Sequence, residues 1–203
     1  MTEHQIKNKK YNFSLMKNTR EYYTKETVDR ILMFIKYHPI NNNTDYLLFK
    51  LLWETGARIS EILALRFIDI DYDNSLIQLI TLKRRTDAIR RIPITLSMKN
   101  ELLTCNKNHN INDKVIRMNY RQVIDLFYKY KNYLAYHKIL SKDEVRILHP
   151  HVFRHSFAIN YIMKGGNIIN LQRILGHSSI NTTSIYLNIA GIDLKKEFDE
   201  VMK

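Results

Sequence analysis

The sequence predicts a mainly α-helical domain of α+β character with one small antiparallel sheet. Apolar residues recur at three- and four-residue spacing through most of its 203 residues. Only five glycines and three prolines interrupt them. One stretch, "SLIQLITLKRRTDAIRRIPIT", instead places β-branched residues on both sides of a charged centre. Hydrophobic residues make up 45%. That content supports one domain with a full core, or two small ones.

Residues 1–20 are polar and basic, with Lys7, Lys9, Lys10, Lys17 and Arg20, and read as a flexible arm. Residues 21–203 read as one domain. "TKETVDRILMFIKYHP" gives a helix: Thr24 caps it, Val28, Ile31, Leu32 and Ile35 form one face, and Pro39 follows its end. "DYLLFKLLWETG" is a second, strongly apolar helix that stops near Gly56. "ARISEILALR" starts a third, with Ile59, Ile62 and Leu63 on the core side. The β-branched stretch is a hairpin with a basic tip, and Pro93 suits a strand end or sheet edge. "NYRQVIDLFYKYKNYLAYHKIL" turns Val123, Ile124, Phe127 and Leu134 to one side. "HVFRHSFAINYIMKGGN" and "NIINLQRILG" are helices closed by Gly165-Gly166 and by Gly176. A short polar segment around Tyr186 follows. It reads as flexible, with Asn181 or Thr182 as its cap. "DLKKEFDEVMK" ends the chain as a helix over 192–203, with Leu194, Phe198 and Val201 on one face.

Lysine and arginine total 32 and aspartate and glutamate 20, a net charge of 32 − 20 = +12. A charge this large points to a polyanionic partner. Nucleic acid is the first candidate and an anionic membrane surface the second. No apolar run approaches the ~20 residues of a membrane span, and the N-terminus has no signal-peptide pattern. The single Cys105 excludes an intrachain disulfide and a cysteine-rich zinc framework, and fits a reducing cytoplasm.

His151 and His155 are four apart in "HPHVFRHSFA", so a helix puts them on one face, as in metal sites. Arg154 beside them opposes a cation, and no acidic ligand is near. The segment favours an anion. Arg58 and Arg154 each sit in an otherwise apolar stretch. A guanidinium matches a phosphate with planar, bidentate donors and stays charged. Glu61, three residues after Arg58, suits an orienting carboxylate.

In order and spacing, "TGARISEILAL", "HPHVFRHSFA" and "LGHSSINTTSIYL" resemble the three signature boxes of the tyrosine recombinases (phage integrase family). The resemblance runs from about residue 22 to the end. It implies a DNA strand-exchange enzyme in which Arg58, Lys83, His151, Arg154, His177 and Tyr186 are catalytic. Tyr186 is the nucleophile. Lys83 is chosen as the family's hairpin lysine because the hairpin has no other, although the tip lacks the glycine many relatives carry there. Glu61 and His155 are supporting residues, His155 as scaffold. Arg84, Arg85 and the arm lysines Lys7, Lys9 and Lys10 contact DNA.

By the resemblance, Tyr186 forms a 3′-phosphotyrosyl bond and a partner strand's 5′-hydroxyl displaces it. His151 takes the phenolic proton, Lys83 protonates the leaving oxygen, and neither metal nor nucleotide cofactor is needed. Further implications are a tetramer on paired double-stranded DNA sites, linked through the C-terminal helix, accessory DNA-binding proteins, and a cytoplasmic, nucleoid-associated location. Most relatives carry a helical clamp domain before the first box. Here only the basic arm stands there, as in the short invertase-type members. Two rivals stand beside this reading: a type IB topoisomerase-like nicking and resealing enzyme, and a non-catalytic DNA-binding regulator on the same scaffold.

Overall fold

The computed structural model describes residues 21–39, 42–81, 88–107, 109–190 and 202. Among them the expected mainly helical architecture is present, with a three-stranded antiparallel sheet. Helix α1 spans Lys25–Tyr37, and the Thr24 side chain accepts a hydrogen bond from the Thr27 amide. Helix α2 spans Asn43–Thr55, is capped by Asn42 and ends at Gly56 in the left-handed conformation. Six of its residues from Leu47 to Leu52 are buried, so it forms the centre of the main core. Helix α3 (Ile59–Ala64) follows at once.

Strands β1 (Ile70–Asp71), β2 (Leu76–Thr81) and β3 (Ala88–Pro93) form the sheet in that order. The expected hairpin pairs Ile77 with Ile92 and Leu79 with Arg90. β1 is an added edge of two residues, too short to give a period-2 signal. Pro93 ends β3 opposite Leu76. Helix α4 (Leu96–Asn106) was not legible as an element, because only Met98 and Leu102 on it are buried.

Helix α5 (Tyr120–Tyr136) buries Val123, Leu126, Phe127, Tyr130 and Leu134. That corrects one residue of the expected face: Ile124 is exposed. The packed positions step by three and four, and 124 lies off that stripe. A short helix α6 (Lys142–Arg146) leads into α7 (Pro150–Met163), then α8 (Ile168–Leu175) and α9 (Asn181–Ala190).

Helix α7 joins two apolar clusters. Val152 and Phe153 enter the main core, while Ala158, Ile159 and Ile162 meet Leu171, Leu175 and Tyr186 in a second one. The segment carrying Tyr186 is thus a regular helix packed on α7, not a flexible polar stretch. Thr183, Tyr186, Leu187 and Ala190 repeat at helical spacing on its packed side. Ser179, rather than Asn181 or Thr182, supplies a capping oxygen, accepting from the Asn181 amide at 3.2 Å. The basic arm 1–20, the hairpin tip 82–87 and the C-terminal helix expected over 192–203 lie outside the described residues, save Met202.

Candidate active site

Four chain segments converge on Tyr186. The first is the α2–α3 junction. Gly56 turns the chain at φ +58°, and Arg58 becomes the residue before α3. The Arg58 amide donates to Glu61 Oε2 at 2.7 Å, and its Nη1 donates to Glu61 Oε1 at 3.2 Å. Glu61 therefore orients Arg58, as expected, but it does more. It also takes a bidentate pair from Arg90, at 2.7 Å from Nη1 and 2.6 Å from Nη2. Burial of Glu61 would raise its pKa, but Arg90 and then Arg58 hold the carboxyl below its ordinary range.

The second segment is β3, which supplies Arg90. This residue is absent from the sequence reading. Its signal was the pair Arg90-Arg91: on a strand, neighbours point to opposite faces, so one arginine had to turn inward. Arg90 Nε also donates to the Ile174 carbonyl at 2.8 Å, tying the sheet to the end of α8.

The third is α7. Arg154 is 4% exposed, and among the described residues no carboxylate is within ion-pair distance of it. Its Nη1 donates to the Gly56 carbonyl and its Nη2 to the Leu175 carbonyl, each at 2.7 Å. Those carbonyls close α2 and α8, where the helix dipoles place partial negative charge. Two helix C-termini thus hold the buried guanidinium in place. Desolvation, then the neighbouring Arg58, lowers its pKa to about 10, so it stays charged at neutral pH.

His151 and His155 follow each other one turn apart on α7, both with solvent-exposed surface. His155, expected as scaffold, reaches Tyr186. Its Nδ1 lies 3.0 Å from the Tyr186 hydroxyl oxygen. Burial, then His151 and Arg154, holds the His155 imidazole below its ordinary pKa.

The fourth segment runs from α8 into α9. Gly176 ends α8 at φ +64°, and His177 follows. His177 Nδ1 pairs with the Thr183 hydroxyl at 2.9 Å, and its ring stacks near Tyr186 at a 16° interplanar angle. Burial, with Arg154, Arg58 and Arg90 close by, pushes the His177 pKa down to about 4. Tyr186 itself is 2% exposed. Burial raises its pKa, and Arg154 and Arg58 partly offset that rise.

Arg58, Arg154, His155, His177 and Tyr186 are therefore one constellation, with Glu61 beneath it. His151 flanks it on the helix turn before His155 and adds to the positive field there. Lys83, Arg84, Arg85, Lys7, Lys9 and Lys10 lie outside the described residues. No group of three or more metal-ligating side chains occurs among the described residues. The site holds an unusual density of cations with few carboxylates, which suits an anion with several oxygens, such as a phosphodiester.

The sequence model of the phage integrase family matches residues 21–191. The tyrosine recombinase XerA of Saccharolobus solfataricus is 33% identical over 177 residues, covering 87% of this chain and 57% of that protein. The catalytic domain of bacteriophage HP1 integrase superposes with a TM-score of 0.63 at 25% identity, covering 88% of this chain and 93% of that one. The Tn1549 transposon integrase, solved in complex with circular intermediate DNA, superposes with a TM-score of 0.67 at 21% identity, covering 81% and 61%. The chain spans less than two thirds of the length of the first curated relatives it matches. With the family model covering more than half of its residues and the three boxes meeting around Tyr186, the chain belongs to the phage integrase family.

Proposed function

We propose that this chain carries out site-specific DNA recombination, cleaving and rejoining strands through a 3′-phosphotyrosyl intermediate. The observation that carries the reading is the position of Tyr186: it lies in the field of Arg58 and Arg154, beside His155 and His177. In this reading Arg58, Arg154 and His177 hold the non-bridging oxygens and stabilise the charge that builds in the pentacoordinate transition state. The Tyr186 oxygen attacks phosphorus, and the bond to the 5′-oxygen breaks. Lys83 gives that oxygen its proton. The resemblance gives the phenolic proton to His151, on the helix turn before His155. Arg84 and Arg85, with Lys7, Lys9 and Lys10, bind the DNA backbone. A net charge of +12 supports that partner. The DNA complex of the Tn1549 integrase supports it as well. Assembly into a tetramer on paired sites through the C-terminal helix, accessory DNA-binding proteins and association with the nucleoid belong to the same proposal.

The test is covalent capture. A pool of duplexes with randomised sequence is nicked next to each potential cleavage point, so the cut fragment diffuses away and resealing fails. The wild-type chain should form a denaturant-resistant adduct on the 3′-phosphate, and sequencing the trapped DNA gives the site. Two duplexes bearing that site should then yield recombinant joints. Tyr186→Phe should bind the site and form no adduct. Adduct without joints would leave a nicking and resealing enzyme, and no adduct would leave a DNA-binding regulator.

A further inference from the structure

We propose that His155 is a catalytic residue: its Nδ1 accepts the phenolic proton of Tyr186 as the tyrosine oxygen attacks phosphorus. This rests on the reading of Tyr186 as nucleophile and moves the proton's destination to His155 from His151, where the resemblance places it.

The geometry carries it. The Tyr186 ring is 2% exposed, packed among Ala158, Ile159, Ile162, Leu171 and Leu175. Bulk water thus has poor access to it. The hydroxyl stands 3.0 Å from His155 Nδ1, within hydrogen-bond reach of the proton to be removed. A buried phenol resists ionisation, so attack at neutral pH needs an acceptor already in contact. His177 does not serve as well, because its Nδ1 is engaged with Thr183.

The surroundings keep His155 competent as a base. Desolvation and the charges of His151 and Arg154, both on α7, keep its imidazole neutral at neutral pH. A neutral ring protonated at Nε2 offers a lone pair at Nδ1. The remaining groups facing it are Glu21 from the segment before α1, His177 from the turn before α9, and Tyr186 itself. Tyr23, two residues after Glu21, is pinned to α7. The Tyr23 amide donates to Ser156 Oγ at 2.8 Å, and Asn160 Nδ2 donates to the Tyr23 carbonyl at 3.0 Å. Glu21 opposes the two cations and so steadies the imidazolium once it forms.

The step balances without a co-reactant. The phenolic O–H bond breaks and its proton goes to Nδ1. The tyrosine oxygen forms a bond to phosphorus, and the bond from phosphorus to the 5′-oxygen breaks. The 5′-oxygen takes a proton from a separate donor, Lys83 in the reading above. In religation the imidazolium returns its proton to the departing Tyr186 oxygen.

Two measurements test this. Nitrogen NMR of histidine-labelled protein without DNA should show His155 protonated at Nε2, with an Nδ1 signal that shifts in Tyr186→Phe. A proton on Nδ1 overturns the proposal. Adduct formation is then timed on the nicked site recovered by capture. His155→Asn keeps an oxygen that can hold the hydroxyl but no base. It should slow the reaction about a hundredfold or more, as should His155→Ala, with thermal stability and DNA affinity unchanged. The acid limb of the pH–rate profile should vanish in both, and free imidazole should partly restore His155→Ala. If the wild type forms no adduct, the reading of Tyr186 has failed. If it does, and His155→Asn reacts within a few-fold of it with the same pH profile, only the role of His155 is overturned.

Discussion

Arg90 and Glu61 face each other as a two-toothed pair, Nη1 to Oε1 at 2.7 Å and Nη2 to Oε2 at 2.6 Å. The same two oxygens take the Arg58 side chain and amide. One buried carboxylate thus sets the positions of two arginines, one three residues before it and the other 29 residues after it. Without Glu61, Arg58 and Arg90 would repel each other across a site that must gather cations to hold a phosphate.

Removing one partner of a buried pair leaves the other charge uncompensated, at a cost of about 3–5 kcal/mol. Arg90→Ala should destabilise the fold by roughly 2–4 kcal/mol, since Glu61 keeps Arg58, and Glu61→Gln should cost about 3–5 kcal/mol, since it takes the carboxylate from both arginines. The double variant should lose less than the sum of the two. Acid should weaken the pair as well. The Glu61 pKa is depressed on folding, so its contribution is present above the unfolded carboxyl pKa and is lost as pH falls through the folded value. Denaturant melts of the three variants against pH check this. Additive losses would mean that the two side chains stabilise the fold independently.

His177 should take up a proton when DNA binds. Its pKa is about 4 in the free protein, held there by burial and by Arg154, Arg58 and Arg90. A bound phosphodiester offsets those cations, so the pKa in the complex must be higher. Between the two values the complex carries the extra proton, and affinity should strengthen as pH falls from neutrality towards 5. Calorimetry of Tyr186→Phe with the recovered site, in two buffers of different ionisation heat, measures the uptake. His177→Gln should abolish it. Equal uptake in that variant would move the proton to another histidine.

Gly56 is held at φ +58°, and an added Cβ would stand 2.5 Å from Phe157 Cδ1. Gly56→Ala should therefore cost about 1–2 kcal/mol for the left-handed backbone alone, with the overlap added. Its carbonyl also accepts from Arg154 Nη1, so the movement reaches the site. The variant should melt earlier and lose adduct formation more than DNA affinity. If the wild-type rate survived, Arg154 would not depend on this turn.

Lys83 is tested by its leaving group. A thiol ionises near ~8.5, far below an alcohol, so sulfur at the 5′-bridging position scarcely needs a proton donor. Lys83→Ala should nearly stop cleavage of ordinary DNA and cut the sulfur substrate at close to the wild-type rate. Arg58→Ala and Arg154→Ala should not be rescued, because they act on the non-bridging oxygens. Rescue of an Arg84, Arg85 or His151 variant instead would reassign the donor.

The sequence by itself determined the helices whose apolar stripes are long and regular, the hairpin, and the candidate residues for the site. Periodicity is a local property, and Thr24 and Gly56 mark helix ends through a side chain or the lack of one. Box order and spacing likewise single out Arg58, Arg154, His177 and Tyr186 as candidates without coordinates. Tertiary structure alone decided what those residues touch. Arg154 is held by the ends of α2 and α8, 98 and 21 residues away along the chain. Arg90 reaches Glu61 from another element. Tyr186 is buried because α9 packs on α7, although "SSINTTSIYLN" reads as a polar segment. The reason is range. A capping oxygen or an apolar stripe acts over one or two turns. A buried guanidinium or phenol is satisfied by whichever distant carbonyl, carboxylate or imidazole the packing of helices brings to it.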